Sequence, residues 1–144
     1  MVHQFEAAVT VRISASTKRV WKALTDPALV KEYLFGTEMV TDGKVGSPIV
    51  YRGTWEGKHY EDKGTILESE PEKRFVSTYW SSMRGLADLP ENYNRVAYQL
   101  HAVGGVTELT VAQDNFKTEE ERKHSLKNWH TVLDALKKVA EVVH

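Results

Sequence analysis

Aromatic side chains carry the clearest chemical signal in this chain of 144 residues. The four tryptophans, Trp21, Trp55, Trp80 and Trp129, stand alongside Tyr79, Tyr98 and Phe35. A dry core is usually built from Leu, Ile and Val, whereas Trp and Tyr bring an N–H or O–H that needs a partner when buried. The set points to a pocket with aromatic walls and a few polar points, although large side chains filling an ordinary core would leave the same signature. The six histidines, His3, His59, His101, His124, His130 and His144, form no ligand set. His124 and His130 fall on different faces of a helix. Glu121-x-x-His124 has metal-compatible spacing but lacks a second pair, and reads as solvated surface. Glu56, Glu61 and Asp62 crowd one hairpin with Lys58, His59 and Lys63. An acid–base pair could sit there, but a charged strand tip that keeps an edge soluble is the simpler account. No hydrolase elbow, phosphate loop or dinucleotide fingerprint is present, so no catalytic residue, metal or cofactor is expected.

The elements that must position these residues are legible in order. Residues 5–13 alternate, with Phe5, Ala7, Val9, Val11 and Ile13 on one side, as in a half-buried strand. Two short helices follow, over roughly 17–24 and 27–35. Ser16 or Thr17 caps the first. Asp26-Pro27 ends it and opens the second, since proline at the first helical position lacks only an N–H that would be orphaned anyway. Strands are expected over Ile49–Trp55, from a Gly57-Lys58 tip to about Ser69, and over Arg74–Ser81, with Pro71-Glu72 as a turn. Gly53 and Gly64 lie inside these strands and mark bends in a curved sheet. Gly104-Gly105 is a two-residue hairpin loop. It pairs Val103 with Val106, Leu100 with Leu109, Tyr98 with Val111 and Val96 with Gln113, which puts the apolar parity of both strands on one face. Thr118-Glu119-Glu120-Glu121 is a capping box. It opens a helix of about 25 residues whose stripe is Leu126, Trp129, Leu133, Leu136, Ala140 and Val143, long enough at about 1.5 Å per residue to lie along the concave side of the sheet.

Composition narrows the function. The chain has no cysteine, which removes thiol catalysis and disulfides and leans towards a reducing compartment. Lys plus Arg is 19 against 20 for Asp plus Glu, so the basic footprint of a nucleic-acid binder is missing. No apolar run reaches the roughly 20 residues of a membrane span, and Met1-Val2-His3-Gln4-Phe5 lacks the marks of a signal peptide. The expectation is a soluble cytoplasmic protein forming one domain over residues 1–144.

The order of strand, two short helices, six strands and long helix, with Val20-Trp21-Lys22-Ala23-Leu24-Thr25-Asp26-Pro27 near the start and Trp129 early in the last helix, resembles the START-like, helix-grip superfamily. Gly64-Thr65-Ile66-Leu67-Glu68 with Pro71, and Val96-x-Tyr98-x-Leu100 followed by Thr107-x-Leu109-Thr110, bring it nearest to the branch named after the activator of heat-shock protein 90 ATPase (the AHSA-like, SRPBCC group). The resemblance covers about residues 5 to 140. It implies an α+β, Bet v-like fold, a seven-stranded antiparallel curved sheet gripping the C-terminal helix, and a cavity between them for an apolar or amphipathic small molecule. Trp55, Trp80, Met83, Leu86, Val96, Tyr98, Val111, Trp129 and Leu133 are the candidate ligand-contacting residues, with Met83, Leu86 and Leu89 on a long 82–92 connection of the sort that is often functional. Two alternatives stay open: a cavity enzyme of cyclase or hydrolase type, which needs a carboxylate or histidine of shifted pKa inside the cavity, and a cochaperone-like activator of a heat-shock ATPase. The resemblance also leaves open a homodimer and a chaperone partner.

Overall fold

Seven antiparallel strands run in the order β1-β7-β6-β5-β4-β3-β2 and curl around the helices. The computed structural model describes residues 6–142, apart from the side chain of Trp55. Phe5 and Val143, assigned to the first strand and the last helical stripe, lie outside the described residues, as do His3 and His144. The strands are β1 (Ala7–Ile13), β2 (Glu38–Val40), β3 (Pro48–Trp55), β4 (Lys58–Glu70), β5 (Arg74–Ser81), β6 (Asn94–Val103) and β7 (Val106–Gln113). The helices are α1 (Thr17–Thr25), α2 (Pro27–Tyr33) and α3 (Glu119–Glu141). This is the α+β helix-grip architecture that the element order implies.

The caps explain the helix boundaries. Ser16, rather than Thr17, caps α1: its Oγ accepts from Arg19 N at 3.2 Å. Thr17 instead donates to Glu72 Oε1 at 2.9 Å, tying α1 to the β4–β5 turn. Asp26 closes α1 and caps α2, its Oδ1 accepting from Ala28 N at 2.9 Å, with Pro27 in the first helical turn. Thr118 Oγ1 accepts from Glu121 N at 3.1 Å as the capping box requires. The return arm differs, because Glu121 Oε1 accepts from Lys117 N rather than from the cap residue.

The β6–β7 register is the expected one, with Val96↔Gln113, Tyr98↔Val111, Leu100↔Leu109 and Val103↔Val106. The β3–β4 tip is one residue earlier than Gly57-Lys58. Glu56 and Gly57 both have positive φ, and Trp55 pairs with Lys58, the geometry of a primed two-residue turn. Gly64 produces the bend. A Cβ there would stand 1.7 Å from the Thr78 backbone oxygen, and Thr65 N is met by the Thr78 hydroxyl at 2.9 Å. A register shift between Ile66 and Glu68 adds further twist.

The core joins Val9, Ile13, Leu109 and Val111 of the sheet to Val132, Leu133, Leu136 and Ala140 of α3. Among the strands, α3 lies chiefly against β1, and it is fastened at its C-terminal end by Ser14 N donating to Glu141 Oε2 at 2.7 Å and by Lys137 Nζ donating to Arg12 O at 2.8 Å. The helix thus closes one side of the grip, and the β3–β5 side is where the inner surface turns polar.

Candidate functional site

Side chains paired directly across strands share a face. Ile66 is fully buried under the grip, and alternation along β4 places Gly64, Asp62 and Tyr60 on the same inner face. Asp62 pairs with Tyr51 on β3 and with Ser81 on β5. A carboxylate therefore stands on the concave side, one strand position away from outward Glu61 and Lys63. Its Oδ2 accepts from the Tyr79 hydroxyl at 2.6 Å. Its Oδ1 is buried with no hydrogen-bond partner. Burial raises the Asp62 pKa. The Tyr79 hydrogen bond, and a weaker pull from the Ser81 hydroxyl across the strand pair, oppose that rise without reversing it.

Two phenols flank this carboxylate, Tyr51 across the strand pair and Tyr79 by its hydrogen bond. Burial raises the pKa of Tyr51, and the Asp62 charge adds to the effect. Burial likewise lifts Tyr79 well above its ordinary value, again reinforced by Asp62. Tyr98 is lifted by burial and then by Tyr33, Tyr51 and Tyr79, and Tyr33 of α2 by burial and Tyr51. All four phenols are neutral donors over the range in which proteins are handled. Tyr51, Tyr79 and Tyr98 face inward and pack on the core, yet each keeps accessible surface.

Trp129 of α3 packs across from the sheet. Its ring meets Tyr98 edge-on, with centroids 5.8 Å apart and planes at 82°. Its Nε1 donates to Gln113 Oε1 at 2.7 Å, and Ser125 Oγ donates to the same oxygen at 3.0 Å, so the indole N–H finds the partner that a buried Trp requires. A surface groove of about 700 Å³ lies at the β3–β4 side of the sheet, lined by Phe35, Tyr60 and Ser82 and also by the outward Arg52 and Glu61. Tyr60 and Ser82 are near neighbours of Asp62 and Ser81 along the chain, which puts the groove at the carboxylate's end of the grip.

A model of the activator of Hsp90 ATPase homolog 1-like family matches residues 14–141. The chain belongs to that family. The solution structure of ChR145 from Cytophaga hutchinsonii is 46% identical, with a TM-score of 0.83, covering 96% of this chain and 94% of that one. The Aha1 dimer from Colwellia psychrerythraea, 21% identical with a TM-score of 0.74, covers 99% of this chain and 98% of that one. MLL2253 from Mesorhizobium loti, 21% identical with a TM-score of 0.76, covers 93% and 95%. The last two show the fold alone. No curated protein matches the chain, and among the described residues no helix is long and apolar enough to cross a membrane.

In this family member the sequence-derived candidates divide into groups. Val96, Val111 and Leu133 are buried beneath Tyr98 and Trp129, and these five belong to one core assembly. The side chain of Trp55 lies outside the described residues. Trp80 is corrected: it pairs with outward Lys63 and so occupies the convex face, where it stacks on Tyr93 at 6.4 Å with Lys63 Nζ 5.6 Å from its ring. Strand alternation puts Tyr79 and Trp80 on opposite faces, and Tyr79 is the inward one. Met83 is 58% exposed and Leu86 half-buried, both on the 82–92 connection.

That connection is fastened at both sides. Trp80 Nε1 donates to Ala87 O at 3.2 Å and Lys63 meets Asp88 at 2.6 Å on the convex side. On the other side Arg84 donates to Asn94 Oδ1 at 2.9 Å and to Glu121 Oε1 at 2.7 Å. Glu121 is therefore a clasp for the loop, and His124 is exposed beside it. Asp62, Tyr51 and Tyr33 are inward polar residues that sequence reasoning left out of the pocket, and Tyr79, though in its aromatic set, was not among the ligand-contacting candidates. Counting alternate residues back from Ile66 would have found Asp62.

Proposed function

We propose that the protein binds an amphipathic small molecule in the recess between the sheet and α3, with its apolar part against Tyr98, Trp129 and the Val96–Val111 floor and its polar end at Asp62. The observation that carries this reading is the buried, unpartnered Oδ1 of Asp62. Buried polar atoms are nearly always hydrogen-bonded, and leaving an acceptor unfilled costs about 1–3 kcal/mol. A ligand donor aimed at that oxygen removes the penalty. Incubation with a medium-chain alcohol such as decanol should give a one-to-one adduct in native mass spectrometry. It should also give a saturable fluorescence change that disappears in Trp129→Phe. A silent fluorescence titration and no adduct would refute the reading. The same spectrum reports whether this chain is a dimer, as its Colwellia neighbour is.

A cavity enzyme is the second reading, and it draws on the same carboxylate. Asp62 has the desolvation-raised pKa that general acid–base work needs, and Tyr79 is already hydrogen-bonded to it. The two readings part on the fate of the ligand: a binder returns it with its mass unchanged, an enzyme does not.

A further inference from the structure

We infer that the recess selects amphipathic ligands whose polar end is a cationic amine. The inference rests on the reading that the recess binds a ligand, and it adds the chemistry of the head group.

Three features of the site favour that head. First, Asp62 is held in place before any ligand arrives, because Tyr79 fixes Oδ2 at 2.6 Å while Oδ1 is buried without a hydrogen-bond partner. An ammonium is donor-only, and a carboxylate acceptor-only, so one N–H fills the vacant oxygen without leaving a lone pair opposed. Second, aromatic rings stand on this side of the grip: Tyr79 donates to Asp62, Tyr51 is its cross-strand partner, and Tyr98 meets Trp129 edge-on. Aromatic faces attract a desolvated cation through the ring quadrupole, most strongly where water is excluded. Third, the neighbouring cations are engaged elsewhere. Lys63 is turned outward to Asp88, Arg52 to Glu61 at 3.0 Å, and Arg84 to Asn94 and Glu121. An amine therefore meets an uncompensated negative charge, and a fatty carboxylate would meet the same charge as repulsion.

The probes are decylamine, decanol and decanoate, which share one chain length and differ in the head, each titrated below its micelle concentration by calorimetry. The amine should bind about tenfold or more tighter than the alcohol, the usual worth of a hydrogen bond to a charged group, and decanoate should bind most weakly. Asp62→Asn should erase the amine preference, bringing decylamine and decanol to within about threefold of each other, since the amide keeps the shape and loses the charge. A measurement on the unaltered protein guards against a variant that misfolds. The titratable groups facing Asp62 are Tyr51 from β3 and Tyr79 from β5, with Tyr98 of β6 and Tyr33 of α2 behind them, and burial keeps all four phenols protonated. The amine preference should therefore vanish on acidification as Asp62 alone takes up a proton. Decanoate binding as tightly as decylamine, a preference that survives Asp62→Asn, or one indifferent to pH would each overturn the inference while leaving ligand binding intact. Failure of all three probes to bind would overturn the ligand-binding reading itself.

Discussion

Asp62→Asn should make the empty protein more stable at neutral pH and no more stable in acid. Burial raises the pKa of Asp62 above its ordinary value of 3.8, so over the window from that value upwards the folded state holds more protons than the unfolded one. Stability then falls as pH rises through the window, the reverse of the usual salt-bridged aspartate. At neutral pH the native state carries a carboxylate with one oxygen satisfied by Tyr79 and one left bare. An unpartnered buried acceptor costs about 1–3 kcal/mol, and a charged one more. Asparagine keeps an oxygen for Tyr79 and exchanges the bare charge for a bare neutral amide. Because Asp62 retains some solvent access, screening trims the difference, and a gain of about 1 kcal/mol is the expected size. In urea that is a midpoint shift of about 0.5 M for a domain with a slope near 2 kcal/mol/M, readable by circular dichroism at a series of pH values. The shift should close as the pH is lowered towards the aspartate range. A variant that is less stable than the parent at neutral pH would show that the native carboxylate is well satisfied, and the case for a vacant acceptor would fall.

Tyr79→Phe should act in the opposite direction. It strips the Tyr79 donor from Asp62, so stability at neutral pH should drop by about 1–2 kcal/mol and the carboxyl titration followed by NMR should move further up. Gly64→Ala forces a Cβ to within 1.7 Å of the Thr78 carbonyl oxygen. Both groups belong to backbone that cannot rotate aside, so a loss of about 3 kcal/mol or more is expected in thermal or chemical unfolding. Arg84→Ala should release the 82–92 connection. Amide exchange there should accelerate while β6 and β7 stay protected, and Arg84→Lys should fail to restore it, because a single ammonium cannot bridge Asn94 and Glu121 as a forked guanidinium does.

The fold was legible because its signals are redundant. The β6–β7 hairpin was over-determined: a two-residue loop and two apolar parities independently specified Tyr98↔Val111, and the structure has that pair. Asp26-Pro27 served two helices at once, as cap and as first-turn residue, so their junction could scarcely lie elsewhere. Choices that rested on one weak preference were less secure. Ser16 and Thr17 are chemically equivalent caps, and what separated them was Glu72, a partner 55 residues away that claims the Thr17 hydroxyl. The β3–β4 tip slid by one residue because Glu56 takes a positive φ, a conformation that glutamate rarely advertises.

The site was obscured by the same charge pattern that disguises any inward carboxylate. Glu61, Asp62 and Lys63 read as one solvated run, and such runs usually face water. Yet a strand cannot present three successive residues to one side. With Ile66 and Gly64 inward, Asp62 had to be inward too, and its flanking charges had to face out. The error over Trp80 has the same root, since either Tyr79 or Trp80 could face inward but never both. What sequence cannot supply is the desolvation: the phenols beside Asp62 come from β3 and β5, and those phenols in turn adjoin Tyr98 of β6 and Tyr33 of α2, which only the closed sheet brings together. Local rules for a strand favour neither a buried acid nor an unfilled acceptor, and a violation of that sort, surrounded by elements that obey every rule, is where function is expected to reside.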